Sequence, residues 1–226
     1  MMQVVPVVQS ILCVEQQKLC GIELLCRLQE REGLLSPYGR VKPKEWAIID
    51  LLMINQVLPV AQQLLSHAPK LFLNVSAASL DDDQDFDRWQ SALALLIQHL
   101  DAPVVLEISE QIDTTLLKRR WPELMQLNGV ELAIDDFGDE NSSFCRLLDY
   151  QWHYCKFDAR MITKIPHIVA LRMCEHNNTD VIVERVETTA ISQQCQDLGI
   201  SNQQGFLFSY PLPVQHWIEE TTSIGS

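Results

Sequence analysis

The sequence predicts an α/β fold, a (β/α)8 barrel of the triosephosphate-isomerase type with an irregular antiparallel first strand. Three observations carry that expectation. Short apolar runs rich in β-branched residues recur along the 226 residues, stretches of helical periodicity separate most of them, and acids or amides interrupt the runs near their C-terminal ends.

In order, the strand candidates are residues 4–8 (VVPVV), 21–25 (GIELL), 71–75 (LFLNV), 104–108 (VVLEI), 131–135 (ELAID), 154–158 (YCKFD), 181–186 (VIVERV) and 204–208 (QGFLF). Only residues 9–20 separate the first two, too few for a crossover helix, so these strands pair as an antiparallel hairpin. The others read as parallel, because helical stretches follow most of them at 44–66, 85–99, 114–127, 142–148, 165–176, 189–198 and 214–221. Asp81-Asp82-Asp83 reads as a solvated helix entrance, with acids beside the N-terminal dipole. No linker or repeat of fixed period divides the chain, so residues 1–226 are expected to form one barrel domain.

A hydrophobic content of 47% is enough for a sizeable core, while a formal charge of -13 argues against a broad surface for a nucleic-acid polymer, which needs clustered Lys and Arg. A small nucleotide remains compatible, since bound divalent metals reverse the local sign of an acidic site. The seven cysteines form an odd set without a C-x-x-C pair, which suits reduced thiols acting as small apolar fillers in the cytoplasm. No uninterrupted apolar run approaches the roughly 20 residues of a membrane span, and the start lacks a secretory pattern, so a soluble protein without membrane contact is expected.

In a barrel of this type the C-terminal strand ends share one face, where active sites are built. Glu23, Asn74, Glu107, Asp135, Asp136, Lys156, Glu184 and Glu187 fall there, most of them within apolar runs where a carboxylate is costly to bury unless it is paired or bound to metal. Hard oxygen ligands suit magnesium or manganese, and no His pair has H-x-x-x-H spacing. Adjacent aspartates at one strand end suit two metals, one carboxylate bridging both and the next reaching the second, an arrangement that clamps a phosphodiester for hydrolysis. Lys156 then either orients the attacking hydroxide, neutralises charge developing on phosphate, or simply balances the acidic face.

These residues stand in motifs that resemble the EAL domain family of cyclic di-GMP phosphodiesterases. GIELLCR resembles the E-A-L signature with its downstream arginine, followed in family order by FLNVS, LEISE, DDFG, CKFD, VERVET and QGFLFSYPLP, from about residue 4 to 217. The resemblance implies hydrolysis of cyclic di-GMP to linear 5'-pGpG with two divalent ions, Mg or Mn. By position, Glu23, Asn74, Glu107 and Asp135 are implied as ligands of one ion, with Asp135 and Asp136 serving the second. Glu184 is implied as ligand or base beside the attacking water, next to Lys156, with Gln204 and Glu187 in support. Arg27 is implied to contact substrate phosphate, Asp158 and Pro211 to lie near the nucleotide, and Glu110 to steady the loop after the paired aspartates.

The chain departs from the family pattern at several points. Asp139-Glu140-Asn141-Ser142-Ser143 replaces the usual T-G-Y-S-S after DFG, removing a glycine beside the metal site in a loop that the family links to dimerisation. Arg185 replaces the glycine of A-E-G-V-E-T, where it either pairs with an acid or helps hold phosphate. Val5 replaces the glutamine before Pro6, and the helices after Arg27 and around 161–180 look trimmed. An active phosphodiesterase is the leading expectation. The alternative is an EAL module of weak or absent activity, acting as a cyclic di-GMP receptor or through a homodimer or a regulatory protein partner.

Overall fold

Valines at Val4, Val5, Val7 and Val8 start a long first strand, β1 (Gln3–Cys13), which turns back through four residues into β2 (Lys18–Glu30). A link that short cannot cross over, and the two strands pair antiparallel from Gln3 opposite Gln29 to Cys13 opposite Lys18. A short strand β3 (Gly33–Leu35) folds back on the end of β2. The computed structural model describes residues 3–138 and 144–224.

The parallel part follows as β4 (Leu71–Val75), β5 (Val104–Ser109), β6 (Val130–Phe137), β7 (Tyr154–Asp158), β8 (Asp180–Glu184) and β9 (Asn202–Gln203). β2 pairs with β4, each later strand pairs with the next, and β9 returns antiparallel to β1. The ring is therefore closed by eight strands, leaving β3 and β10 (Leu212–Pro213) as appendages at its seam.

Helices α1 (Trp46–Val57), α2 (Ala61–Leu65), α3 (Ala77–Asp81), α4 (Asp83–Gln98), α5 (Thr114–Leu124), α6 (Phe144–Asp149), α7 (Ile165–Asn177), α8 (Thr189–Asp197) and α9 (Val214–Ile224) accompany the ring. Asp82 caps α4, its carboxylate accepting from the backbone N–H groups of Gln84 and Asp85, which explains the run of three acids at that entrance. Trp89, Leu93 and Leu96 of α4 join the outward-facing Leu71, Leu73, Leu106 and Ile108 in the main core.

Three sequence expectations are corrected. The single helix over 44–66 is divided by a 3-10 turn at Leu58–Val60, where Pro59 supplies no backbone donor. That stretch, Pro43–Leu65, has the length and apolarity of a membrane span, the one such helix among the described residues, and it lays Ile49, Met53, Ile54 and Val57 into the main core. The helix expected over 85–99 begins earlier, as α3 and α4. The eighth strand is Asn202–Gln203 and not 204–208; the chain leaves the ring at Gln204, whose carbonyl accepts from Val186 N–H, and Phe206 borders the cavity at 50% exposure. For the helix expected over 142–148, positions 142 and 143 lie outside the described residues, and α6 begins at Phe144.

The inside of the ring has two levels, set by the period of two along a strand. Ile11, Phe72, Val105, Ala133, Tyr154 and Ile182 form a separate apolar plug. Two positions further toward the C-terminal mouth stand Asn74, Glu107, Asp135, Lys156 and Glu184, and Gln9 holds the equivalent place on the reversed β1. The alternation that fills the floor with hydrocarbon therefore fills the level above it with ionisable groups.

Candidate functional site

Lys156 is fully buried at the centre of this upper level. Its Nζ lies 2.6 Å from Glu184 Oε1 and 3.3 Å from both Glu23 Oε2 and Asp135 Oδ1, and it also pairs with Glu107. Asn74 Nδ2 donates to Glu23 Oε1 and Glu107 Oε2, each at 3.0 Å. Gln204 Nε2 donates to Glu23 Oε2 at 2.8 Å. Above this layer opens a cavity of about 770 Å3, whose walls include Arg27, Asp136, Glu187, Gln204 and Pro211.

Burial disfavours the Lys156 charge, but Asp135, Glu107, Glu184 and Glu23 together push its pKa well above the ordinary lysine value. Burial likewise opposes ionisation of Glu23, yet the Lys156 ammonium and the Gln204 and Asn74 hydrogen bonds hold its carboxyl below the usual range. Glu107 goes the other way, since burial and the neighbouring Glu23 charge outweigh Lys156 and drive its pKa well up. Burial also raises Glu184, to about 8, against the pull of Lys156 and with help from Asp135 and Glu23. One cation thus serves more carboxylates than it can neutralise.

The donor set fits a hard divalent cation. Asp135, Asp136 and Glu184 each present a carboxylate oxygen, all within 4.8 Å of one another. Glu107 Oε1 and Asp135 Oδ1 are buried against the Lys156 ammonium as ion pairs but accept no hydrogen bond in good geometry among the described residues, so acceptor capacity remains in a site made of oxygen ligands. Asn74 turns its NH2 toward Glu23 and Glu107, so ligation through its oxygen requires the amide to turn over.

The structure gathers Glu23, Asn74, Glu107, Asp135, Lys156, Glu184 and Gln204 into one connected cluster, with Asp136 at its edge. Glu187, Arg27 and Pro211 stand on the cavity wall, and Arg27 Nη1 donates to the Cys26 carbonyl at 2.8 Å. Glu110 Oε2 accepts from Gly138 N–H at 3.1 Å, at the start of the loop after the aspartates. The loop substitutions at 139–143 lie outside the described residues. Asp158 is buried and turned to Arg160, whose Nε lies 3.0 Å from both its oxygens, and to Arg185, whose Nη1 lies 2.7 Å from Oδ2. Burial raises the Asp158 pKa, but these arginines bring it below the usual value.

Gln9 and Asp50 escaped the sequence reading. Gln9 Oε1 accepts from Gln204 at 3.4 Å while its amide donates to the Ser209 carbonyl at 2.9 Å, tying β1 to the residue that holds Glu23. Its signal was a polar residue two positions from Ile11 in an apolar strand. Asp50 lines the cavity from α1 and accepts from Ser76 N–H at 2.8 Å and Ser79 Oγ at 2.7 Å, which anchors the turn after β4. Its signal was a lone acid within AIIDLLMI.

The sequence profile of the EAL domain family matches residues 2–211. The chain is similar to the cyclic di-GMP phosphodiesterase PdeR of Escherichia coli, 28% identical over 197 residues, covering 81% of this chain and 28% of that protein. It is also similar to the signaling protein YkoW of Bacillus subtilis, 28% identical over 224 residues, with 90% of this chain and 28% of YkoW covered. The chain spans 28% to 32% of the length of the first curated relatives it matches. The structure of the PaMucR phosphodiesterase in complex with c-di-GMP superposes with a TM-score of 0.78 at 23% identity, covering 95% and 94% of the two chains. The manganese and cy-diGMP complex of BlrP1 from Klebsiella pneumoniae gives 0.76 at 23% identity, covering 95% and 60%. At these identities the structures establish the shared fold.

Proposed function

The chain belongs to the EAL domain family, and on that premise we propose that it is a metal-dependent phosphodiesterase that hydrolyses cyclic di-GMP to linear 5'-pGpG. The observation that carries the proposal is the oxygen cluster of Asp135, Asp136 and Glu184 at the base of the cavity, backed by the buried Lys156. The names of relatives and of structural neighbours that act on or bind this dinucleotide support the choice of substrate. Glu23, Asn74, Glu107 and Asp135 would hold one divalent ion, and Asp135 with Asp136 a second.

Bound there, Mg or Mn would supply Lewis acidity that lowers the pKa of water and offsets charge on the phosphodiester. The protein does the rest. Glu184 would serve as ligand or base beside the attacking water; burial raises its carboxyl to about 8 in the metal-free protein, so its proton would first leave on ion binding, and the carboxylate would then be able to accept one from water. Lys156, fixed by four carboxylates, would orient the attacking hydroxide or offset charge developing on the phosphate from a position already set in the absence of substrate. Gln204 holds Glu23 in place, Glu187 borders the same wall, and Arg27 reaches the cavity where a phosphate oxygen of the substrate would sit. Pro211, on the cavity wall, would border the nucleotide, and Asp158, buried beneath Arg160 and Arg185, would act toward it through those arginines.

Incubation of the pure protein with cyclic di-GMP and either Mg or Mn should yield 5'-pGpG, detected by chromatography; no product with either metal overturns the proposal. One observation favours a second reading, a module that binds cyclic di-GMP without turnover: Arg185 Nη2 lies 3.5 Å from Asp136 Oδ1, at the place of the proposed second ion. That reading predicts calorimetric binding of the dinucleotide with no hydrolysis.

A further inference from the structure

Strand β8 ends at Glu184, and Arg185 leaves it in the left-handed backbone region with φ 57. A non-glycine residue is uncommon there, and bulky ones are held in that conformation by their surroundings. Among the described residues, Arg185 meets a pair of acids from two other strands. Its Nη1 lies 2.7 Å from Asp158 Oδ2 at the end of β7, and its Nη2 lies 3.5 Å from Asp136 Oδ1 near the end of β6. The fork therefore bridges the ends of two strands across the mouth of the barrel. Asp136, itself at φ 53, meets it from the opposite side.

Lys156 and Arg185 divide the cluster's carboxylates between them. Lys156 pairs with Glu23, Glu107, Asp135 and Glu184 from below, whereas Arg185 reaches Asp136 from the rim. Asp136 is also the carboxylate that distinguishes a two-ion site from a one-ion site, since Asp135 alone already joins the deeper set. Asp158 does not depend on Arg185, because Arg160 also grips it with Nε 3.0 Å from both oxygens. The Arg185 side chain is 44% exposed at the rim, where solvent reaches it.

We infer that Arg185 is a tethered counter-ion: its guanidinium takes the cation position at Asp136 and competes there with the second divalent ion. The inference rests on reading the cluster as a metal site and adds that its two positions are unequal. The deeper position, remote from Arg185, fills first. The outer position fills only when the guanidinium releases Asp136, and a substrate phosphate offers that guanidinium an alternative anion. An ion on Asp136 would otherwise face a fixed positive charge a few ångströms away, the like-charge case that shifts an ionic equilibrium by about tenfold or more.

The test uses Mn2+ alone, titrated into the whole chain and followed by the free-ion electron paramagnetic resonance signal and by calorimetry. Wild type is expected to bind one ion tightly and a second at least about tenfold more weakly than Arg185→Gly does, with the first constant the same within about threefold. Arg185→Gln, which keeps length and loses charge, is expected to follow Arg185→Gly, and Arg185→Lys to follow wild type. In both uncharged variants, spin coupling between paired Mn2+ ions should appear at lower total metal. Glycine is at ease in the left-handed region, so its variant should fold; circular dichroism checks this for each protein. Equal stoichiometry and equal constants in wild type and both uncharged variants overturn the inference, as does a change confined to the first ion. Because no dinucleotide is present, a protein that never hydrolyses cyclic di-GMP still passes or fails this test on its own terms.

Discussion

Lys156 is a lysine buried to 0% exposure whose charge is sustained by four acids, and its neighbours' unequal pKa values follow from that single position. Lys156→Met removes the cation while keeping volume, leaving the acids uncompensated. The metal-free variant should lose about 3–5 kcal/mol of stability, read as a lowered thermal midpoint. Mn2+ should recover much of that loss. Turnover separates the two uses of the lysine: a group acting on the phosphate leaves kcat down on the order of 100-fold in saturating Mn2+, whereas a mere charge balance is repaired together with stability. We expect the first outcome; recovery of wild-type kcat would reduce Lys156 to a structural role. Residues of this kind were readable beforehand because a charged group inside YCKFD or VVLEI cannot sit in a core without a reason. Asp158 shows where such reading stops: its motif is plain, but its two arginine partners, one of them two residues along the chain and the other just past the end of the next strand, emerge only in three dimensions.

Elements divide in the same way. The parallel strands β4 to β8 were legible because each is a short, largely apolar run with an inward polar residue two positions after an inward apolar one. β9 was not. Asn202–Gln203 has no strand propensity and owes its pairing to closing the ring between β8 and β1, while the strand-like FLF that follows lies outside it. The chain escapes at Gly205, where an added Cβ would stand 2.1 Å from Val186 O and 2.3 Å from Val186 N. Both atoms belong to backbone, so neither can rotate aside. Gly205→Ala should therefore force the turn away from β8, costing about 2–3 kcal/mol. It should also shift Gln204, whose amide holds Glu23, and weaken Mn2+ binding in calorimetry. A variant with wild-type midpoint and wild-type Mn2+ affinity would show that the turn adapts without strain. The single helix over 44–66 fails for a simpler reason: Pro59 supplies no backbone donor and divides it, although the apolar period runs through.

At the scale of the whole molecule the barrel places a repulsive acidic layer above an apolar plug, so folding stability and cation binding are linked through pH. Glu184 has its pKa raised from 4.5 to about 8, and Glu107 is raised well above its ordinary value. A raised carboxyl binds its proton more tightly in the folded state than in the unfolded one. Its contribution is complete below the unfolded pKa and is lost as pH rises through the folded one. Glu23 and Asp158, held below their ordinary values, act oppositely, but their contribution is already complete above the normal carboxylate range and stays level near neutrality. Lys156 is raised and remains protonated throughout that range. The metal-free protein should therefore lose stability between about pH 5 and pH 8, seen as a falling thermal midpoint. A divalent ion replaces the proton on these carboxylates, so Mg or Mn should raise the midpoint little near pH 5.5 and progressively more toward pH 8. Glu184→Gln keeps the carboxyl's shape without its titration and should flatten the fall in the absence of metal. A midpoint that rises from pH 5 to 8 in the metal-free wild type, or a metal effect of the same size at both ends, would show that the layer is not held together by shared protons and cations.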